Sequence, residues 1–101
     1  MDIQKLMKQA QEMQAGMQKT QEELASKNVE ASVGGGKVTV VANGSGDVKS
    51  IHIDPSVVDP EDVDFLQELV LSGVQEAVTK GKEMAAAEMS KLTGGLGLPG
   101  M

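Results

Sequence analysis

The first quarter of the chain contains a long amphipathic helix that cannot be stable on its own. From Ile3 to Leu24 it reads IQKLMKQAQEMQAGMQKTQEEL, without proline or a β-branched cluster. Apolar or small residues recur at alternating spacings of three and four, which is the pattern of a helical seam. They are Ile3, Leu6, Ala10, Met13, Met17 and Leu24. A single helix does not bury its own stripe, so the seam predicts packing against another helix, or an adaptable Met-rich surface for a protein partner.

Composition limits the size of the core that the chain can build. The 101 residues include one Phe and neither Trp nor Tyr, which favours one domain with a modest core. Oligomerisation is the expected remedy for a core of this kind. The absence of Cys excludes disulfides and thiolate metal sites, and no signal peptide or membrane-spanning run is visible. We therefore expect a soluble, intracellular protein.

The charge is acidic overall but unevenly distributed. The net charge is −6, with nine basic residues, all of them Lys. This balance disfavours a dedicated nucleic-acid binder of the strongly basic type. Residues 1–28 are neutral, whereas residues 59–76 carry six acidic residues and no basic one. Basic charge is therefore concentrated on the first helix and towards the end of the chain.

The middle of the chain predicts three strands. Residues 28–33 alternate between polar and apolar, and residues 37–43 are rich in β-branched side chains. Residues 48–54 alternate again, and glycines separate the three segments at 34–36 and 44–46. Short connections of this kind predict an antiparallel meander with one face that requires a cover. The two long helices are expected to flank this sheet.

A second helix is predicted from Pro60 to about Leu92, with Asp59 as its N-cap. Its first half is apolar on more than one stripe, so we expect it to pack on its own sheet and on a partner subunit. Gly73 and Gly81 inside it predict close backbone approach. The expected dimer interface is Phe65, Leu66, Leu69, Val70, Gly73 and Val74. Residues 1–92 form the predicted domain, and residues 93–101 a flexible Gly-rich tail.

No catalytic or metal-binding pattern survives inspection. Gly34 to Lys37 reads GGGK, but Val38 follows where a phosphate loop needs Ser or Thr, so a hairpin turn is preferred. His52 is the single His and has no nucleophile signature near it. The acids Asp59, Glu61, Asp62 and Asp64 lack calcium-loop spacing and suit a helix start. We expect no enzyme activity, no metal and no cofactor.

Three segments carry a combination of residues that is more specific than any one of them: LMKQAQEMQAGMQKTQEEL (6–24), KVTVVANGSGDVKSIHIDPSVV (37–58) and FLQELV (65–70). Taken together, they closely resemble the YbaB/EbfC family of bacterial nucleoid-associated proteins. The resemblance implies an α+β fold with an α-β-β-β-α protomer, in an intertwined homodimer with tweezer-like helical arms. It also implies binding to double-stranded DNA in the nucleoid of the cytoplasm, and a role in nucleoid organisation and gene regulation.

The lysines outside the helical seam are the predicted DNA contacts. They are Lys5, Lys8, Lys19, Lys49, Lys80 and Lys82. Lys8 and Lys19 match basic positions in the family pattern, whereas Ser50 and Thr79 stand where relatives often carry a basic residue. Without Arg, bidentate reading of guanine is excluded, so we expect weak, salt-sensitive contacts to phosphates. The alternative is an acidic dimeric adaptor that binds another protein through the Met-rich first helix.

Overall fold

The computed structural model describes residues 2–94 and confirms the predicted α-β-β-β-α order. The elements are α1 (Ile3–Ser26), β1 (Asn28–Val33), β2 (Val38–Asn43), β3 (Val48–Ile53) and α2 (Val63–Gly94), with a short 3-10 turn (Pro55–Val57) before α2. The strands form one antiparallel sheet in the order β1-β2-β3. Each strand therefore pairs with its neighbour in sequence, as a meander requires.

Glycines make the first hairpin possible. Gly34, Gly35 and Gly36 have φ angles of 63°, 68° and 87°, a region that other residues rarely adopt. The strand β2 follows this turn directly, so the GGGK segment is a hairpin turn, as predicted, and not a phosphate loop. In the β2–β3 pair, Val41 faces Ser50 while Ala42 faces Val48. Lys49 is therefore the extra residue of a β-bulge.

The helix α2 covers one face of the sheet, and the core lies between them. The buried apolar residues of the core cluster are Ala31, Val38, Val40, Ala42 and Ala77. A Cβ atom added to Gly73 would lie 2.9 Å from Cγ2 of Val40, and one added to Gly81 would strike the carbonyl oxygen of Asn43. The predicted close approach at both glycines is confirmed.

The start of α2 differs from the prediction. The helix begins at Val63, and the carboxylate of Asp62 accepts a hydrogen bond from the N–H of Phe65 at 3.3 Å, so Asp62 is the cap. Asp59 instead closes a turn of its own by accepting from the N–H of Glu61 at 2.9 Å. At the other end α2 continues to Gly94, two residues beyond the prediction. The rest of the predicted tail lies outside the described residues.

The protomer is elongated because two helices leave the sheet together. Its extents are 71 × 25 × 17 Å and its radius of gyration is 19.5 Å, against about 13 Å for a compact chain of this length. The helix α1 runs antiparallel to the end of α2. Lys27 pairs with Glu88 at 3.6 Å, and the position of a Cβ on Gly16 lies 3.6 Å from Cδ1 of Leu92. We call α1 and the adjacent end of α2 (82–94) the arm. Within the described part of the chain, α1 contacts the sheet mainly through its base, and α2 covers the sheet face.

Candidate nucleic-acid interface

Three of the six predicted DNA-contacting lysines form a single line along α1. Lys5, Lys8 and Lys19 are exposed, and at about 100° per residue they lie within about 60° of one another around the helix axis. The apolar seam is centred about 150° away, on the opposite side of the helix. From Lys5 to Lys19 the line runs about 21 Å, the length of roughly six base pairs. We call these three lysines the arm stripe.

One acidic residue interrupts the arm stripe. Glu12 is exposed and lies between Lys8 and Lys19 on the same side of α1. Within the described residues, none of these four side chains takes part in an ion pair. Among the described residues, the arm stripe therefore presents three cationic groups without an ion-pair partner and one carboxylate that opposes an anionic ligand. Glu12 was counted in the neutral charge of residues 1–28 but was not placed among these lysines, although the 3.6-residue period locates it there.

Lys80 and Lys82 point to different sides of α2. The ammonium group of Lys80 donates a hydrogen bond to the carbonyl of Glu30 on the edge strand β1 at 3.0 Å. Cε of Lys82 instead lies beside the β2–β3 turn, 3.9 Å from the position of a Cβ on Gly46. Side chains two residues apart on a helix point about 160° apart around its axis. Lys80 and Lys82 therefore do not contact the same flat ligand surface. Lys80 is engaged within the protomer, and Lys82 is available at the base of the arm.

The remaining lysines also divide into those that are exposed without an ion pair and those that pair with a carboxylate within the described residues. Lys49 is exposed at the β3 bulge and makes no ion pair among the described residues. Lys27, Lys37 and Lys91 pair with carboxylates at 3.6 to 3.8 Å. The structure therefore brings Lys5, Lys8 and Lys19 together on α1 and leaves Lys49 and Lys82 as separate exposed cations. It does not assemble all six predicted residues into one patch.

The predicted dimer-interface residues also divide into two groups. Leu69, Val70 and Val74 pack against the core cluster, and Gly73 is buried against Val40. These four cover the protomer's own sheet. Phe65 is 48% exposed, and Leu66 is half-buried. Among the predicted set, Phe65 therefore offers the most surface to a second chain.

Further apolar surface lies where α2 does not cover the sheet. Val48 and Ile51 of β3 share the sheet face that carries Val40 and Ala42, because they are their paired neighbours. They are 40% and 44% exposed, since α2 packs mainly on β1 and β2. Alternation in the sequence gave the face of Ile51 correctly, but Val48 joins that face only because the bulge at Lys49 shifts the register. The exposure of both residues depends on where α2, a helix distant in sequence, lies.

The other polar residues considered from sequence, His52 and the acidic residues, do not form a metal-binding group within the described part of the chain. His52 is exposed on β3, as predicted. Hydrogen bonds from the backbone N–H and the hydroxyl of Ser56 hold the pKa of Asp54 below its usual value, and nearby Lys37 lowers it further. Across residues 2–94 no group of three or more His, Cys, Asp or Glu side chains is placed to hold a metal ion. No described helix is long and apolar enough to cross a membrane.

The fold and the arm stripe define a small α+β protein with a lysine-bearing helical arm. The profile of the YbaB/EbfC DNA-binding family matches residues 1–96, so the chain belongs to this family. The resemblance seen in the sequence is thereby confirmed.

Named relatives support the same family. A "nucleoid-associated protein" of Acetivibrio thermocellus is 58% identical over 101 residues, covering 99% of this chain and 89% of that relative. Another from Akkermansia muciniphila is 54% identical over 99 residues, covering 98% and 95%. The crystal structure of the uncharacterized protein HP0035 from Helicobacter pylori matches with a TM-score of 0.65 at 23% identity. It covers 77% of this chain and 90% of that one, and shows the shared fold.

Proposed function

We propose that the protein binds double-stranded DNA as a homodimer and contributes to nucleoid organisation and the regulation of gene expression. The observation that carries this proposal is the arm stripe: three exposed lysines along one side of a projecting helix, none of them in an ion pair within the described part of the chain. Membership of a DNA-binding family and the names of relatives at 54% and 58% identity support it.

The chemistry of the stripe favours phosphates over bases. A Lys ammonium is a compact point charge, and the chain has no Arg for bidentate reading of guanine. The net charge of −6 repels DNA as a whole, so the contacts depend on locally concentrated cations. Binding is therefore weak, sensitive to salt and only slightly dependent on sequence.

A second copy of the chain accounts for two features at once. It covers the apolar residues that the protomer leaves exposed near the sheet, such as Ile51 and Phe65. It also doubles the arm, so that two stripes with six lysines contact one duplex. The exposed residues of β3 and of the start of α2 support an interface away from the arm.

The test is fluorescence anisotropy of a labelled duplex across a salt series, with the mass of the protein measured by light scattering. The six stripe lysines of a dimer alone contribute about 5 to the log–log salt slope, at about 0.9 per phosphate, and any contact from Lys82 adds to this value. The double substitution Lys8→Glu and Lys19→Glu should weaken binding to every duplex sequence and reduce the slope by about 4, while leaving the dimer folded.

A matched pair of variants distinguishes the effect of a lysine's position from the effect of the protein's net charge. Lys8→Gln and Lys37→Gln each remove one positive charge, but Lys37 lies at the far hairpin and pairs with Asp54 at 3.6 Å. We expect only Lys8→Gln to weaken DNA binding. Equal affinity of the double-Glu variant and the wild type would refute the site. No binding at low salt would refute the function.

The adaptor hypothesis is favoured by one observation, the exposure of the seam at the free end of α1. The seam residues Ile3 and Leu6 are 68% and 49% exposed there, on an acidic protein. If no DNA binds at low salt, a protein ligand of this Met-rich surface becomes the leading explanation.

A further inference from the structure

The base of α1 is fixed to the sheet through one buried side chain, that of Asn43. This residue ends β2 and is 2% exposed. Its Oδ1 accepts hydrogen bonds from the N–H groups of Ser45 and Asp47 at 3.0 and 2.9 Å, which fixes the β2–β3 turn. Its Nδ2 donates to the carbonyl of Ala25, near the end of α1, at 3.1 Å. One amide therefore connects the turn to the arm.

The neighbouring glycine completes this connection. The N–H of Gly44 lies 2.9 Å from the carbonyl of Leu24 and 3.1 Å from that of Lys27. A Cβ atom on Gly44 would lie 2.7 Å from Cδ2 of Leu24, which is the buried residue of α1 and only 3% exposed. The final carbonyls of a helix need partners from outside it, and here the sheet supplies them.

The opposite side of Asn43 is closed by α2. Gly81 packs so closely on the carbonyl of Asn43 that a side chain there has no room. Asn43 is thus held between the end of α1, its own turn and the middle of α2. We call Asn43, Gly44, Leu24 and Gly81 the arm seat.

Building on the proposed DNA-binding function, we infer that Asn43 is a positioning residue that sets the direction of the arm and thereby the alignment of the arm stripe with phosphates. From Leu24 to Lys5 the helix is about 28 Å long, so a rotation of about 10° at the seat moves Lys5 by about 5 Å. That displacement exceeds the tolerance of a charge-assisted hydrogen bond. Asn43 makes this contribution without contacting DNA.

The variant that tests this inference is Asn43→Asp, which has the same shape. The carboxylate still accepts from Ser45 and Asp47, but it no longer donates to Ala25 and instead repels that carbonyl. The matched control is Asn28→Asp. Asn28 is paired with Asn43 in the register of β1 and β2 and is exposed. Among the described residues its side chain makes no hydrogen bond to α1, so Asn28→Asp gains the same charge without losing such a bond.

Arm direction is measurable without DNA, because the described chain has no cysteine to interfere with labelling. Spin labels attached to Gln14→Cys and His52→Cys in one chain report the distance from α1 to β3. Excess unlabelled protein is added so that few dimers contain two labelled chains and the measured distance lies within one chain. We expect Asn43→Asp to shift or broaden this distance. We expect its DNA affinity to fall roughly fivefold to tenfold, with Asn28→Asp unchanged in both.

The outcomes separate this inference from the proposed function. An unchanged distance in folded Asn43→Asp overturns the positioning role, as does a shifted distance with unchanged DNA affinity. If the wild type binds no DNA at low salt, the proposed function fails, and the inference about DNA alignment fails with it, whatever the distance shows. Should Asn43→Asp not fold, Gly44→Ala disturbs the seat from the side of Leu24, and its expected results are the same.

Discussion

Ile51 and Val40 are paired on adjacent strands and lie on the same face of the sheet, yet Val40 is fully buried and Ile51 is 44% exposed. The difference arises because α2 packs on β1 and β2 and leaves most of β3 bare. An apolar residue left open beside the core is typical of a surface that another chain covers. This pair therefore supports a proposed dimer in which the second copy packs on β3.

Replacing Ile51 with Asp should weaken the dimer. A carboxylate in that interface costs roughly 1 to 3 kcal/mol of association free energy, or about fivefold to 150-fold in the dimer dissociation constant. Sedimentation equilibrium measures this constant. His52→Asp, one residue along and on the opposite face, is the control and should leave it unchanged. Equal dissociation constants for both variants and the wild type would exclude β3 from the interface.

Removing the carboxylate from the arm stripe should strengthen DNA binding. Glu12→Gln leaves Lys5, Lys8 and Lys19 without an opposing charge, and we expect a gain of roughly twofold to fivefold at low salt that disappears at high salt. Anisotropy titrations at two ionic strengths measure it. Glu61→Gln is the control, because it makes the same charge change at an exposed position ahead of α2. A gain of the same size in Glu61→Gln would mean that only net charge matters.

Lys80 and Lys82 should differ in their effect on DNA binding although they are neighbours in sequence. Lys82→Gln removes an available cation from each protomer and should reduce the salt slope by about 2. Lys80→Gln removes the hydrogen bond to Glu30 and should lower the melting temperature while changing the slope little. Salt titration and thermal unfolding of both variants distinguish the roles. The opposite pattern would make Lys80 the contact residue.

Two Gly→Ala substitutions in helices should have opposite effects on stability. At Gly73 the new methyl group meets buried Val40 at 2.9 Å, so overpacking outweighs the gain in helix propensity, and we expect a net loss of about 1 to 2 kcal/mol. At Gly16 the nearest atom is 3.6 Å away, on Leu92, so propensity prevails and stability rises by up to about 1 kcal/mol. Urea unfolding measures both changes. A stabilised Gly73→Ala would contradict the packing described at α2.

Stability should fall in acid partly through Asp54. Its pKa is lowered by the hydrogen bonds from Ser56 and by Lys37, so its carboxylate stabilises the folded state above the ordinary Asp value of about 3.9. That contribution disappears as the pH falls through the lowered pKa. The variant Asp54→Asn lacks the charge at every pH. Its melting temperature should therefore lie below that of the wild type at pH 7 and converge with it below about pH 4, whereas a constant difference would contradict this role.

Local patterns predicted the strands and turns because their causes are local. Alternation, β-branched side chains and glycines at positive φ lie within a few residues of the structures they specify. The start of α2 was misplaced because Asp59 and Asp62 are both capable caps, and the choice depends on where α2 rests on a sheet formed by earlier residues. The engagement of Lys80 with Glu30 joins residues fifty positions apart, so no window of sequence reveals it.

The arm seat also has a consequence for the order in which the chain is made. The helix α1 is synthesised first, but its partners Asn43 and Gly44 follow only at the end of β2, and Gly81 follows only within α2, after the whole sheet. The meander can pair strand by strand as it emerges, because its contacts are local. Of the two helices, the one that is synthesised earlier is therefore the later to acquire a fixed direction, and the nascent protein should gain affinity for DNA only after α2 has been made.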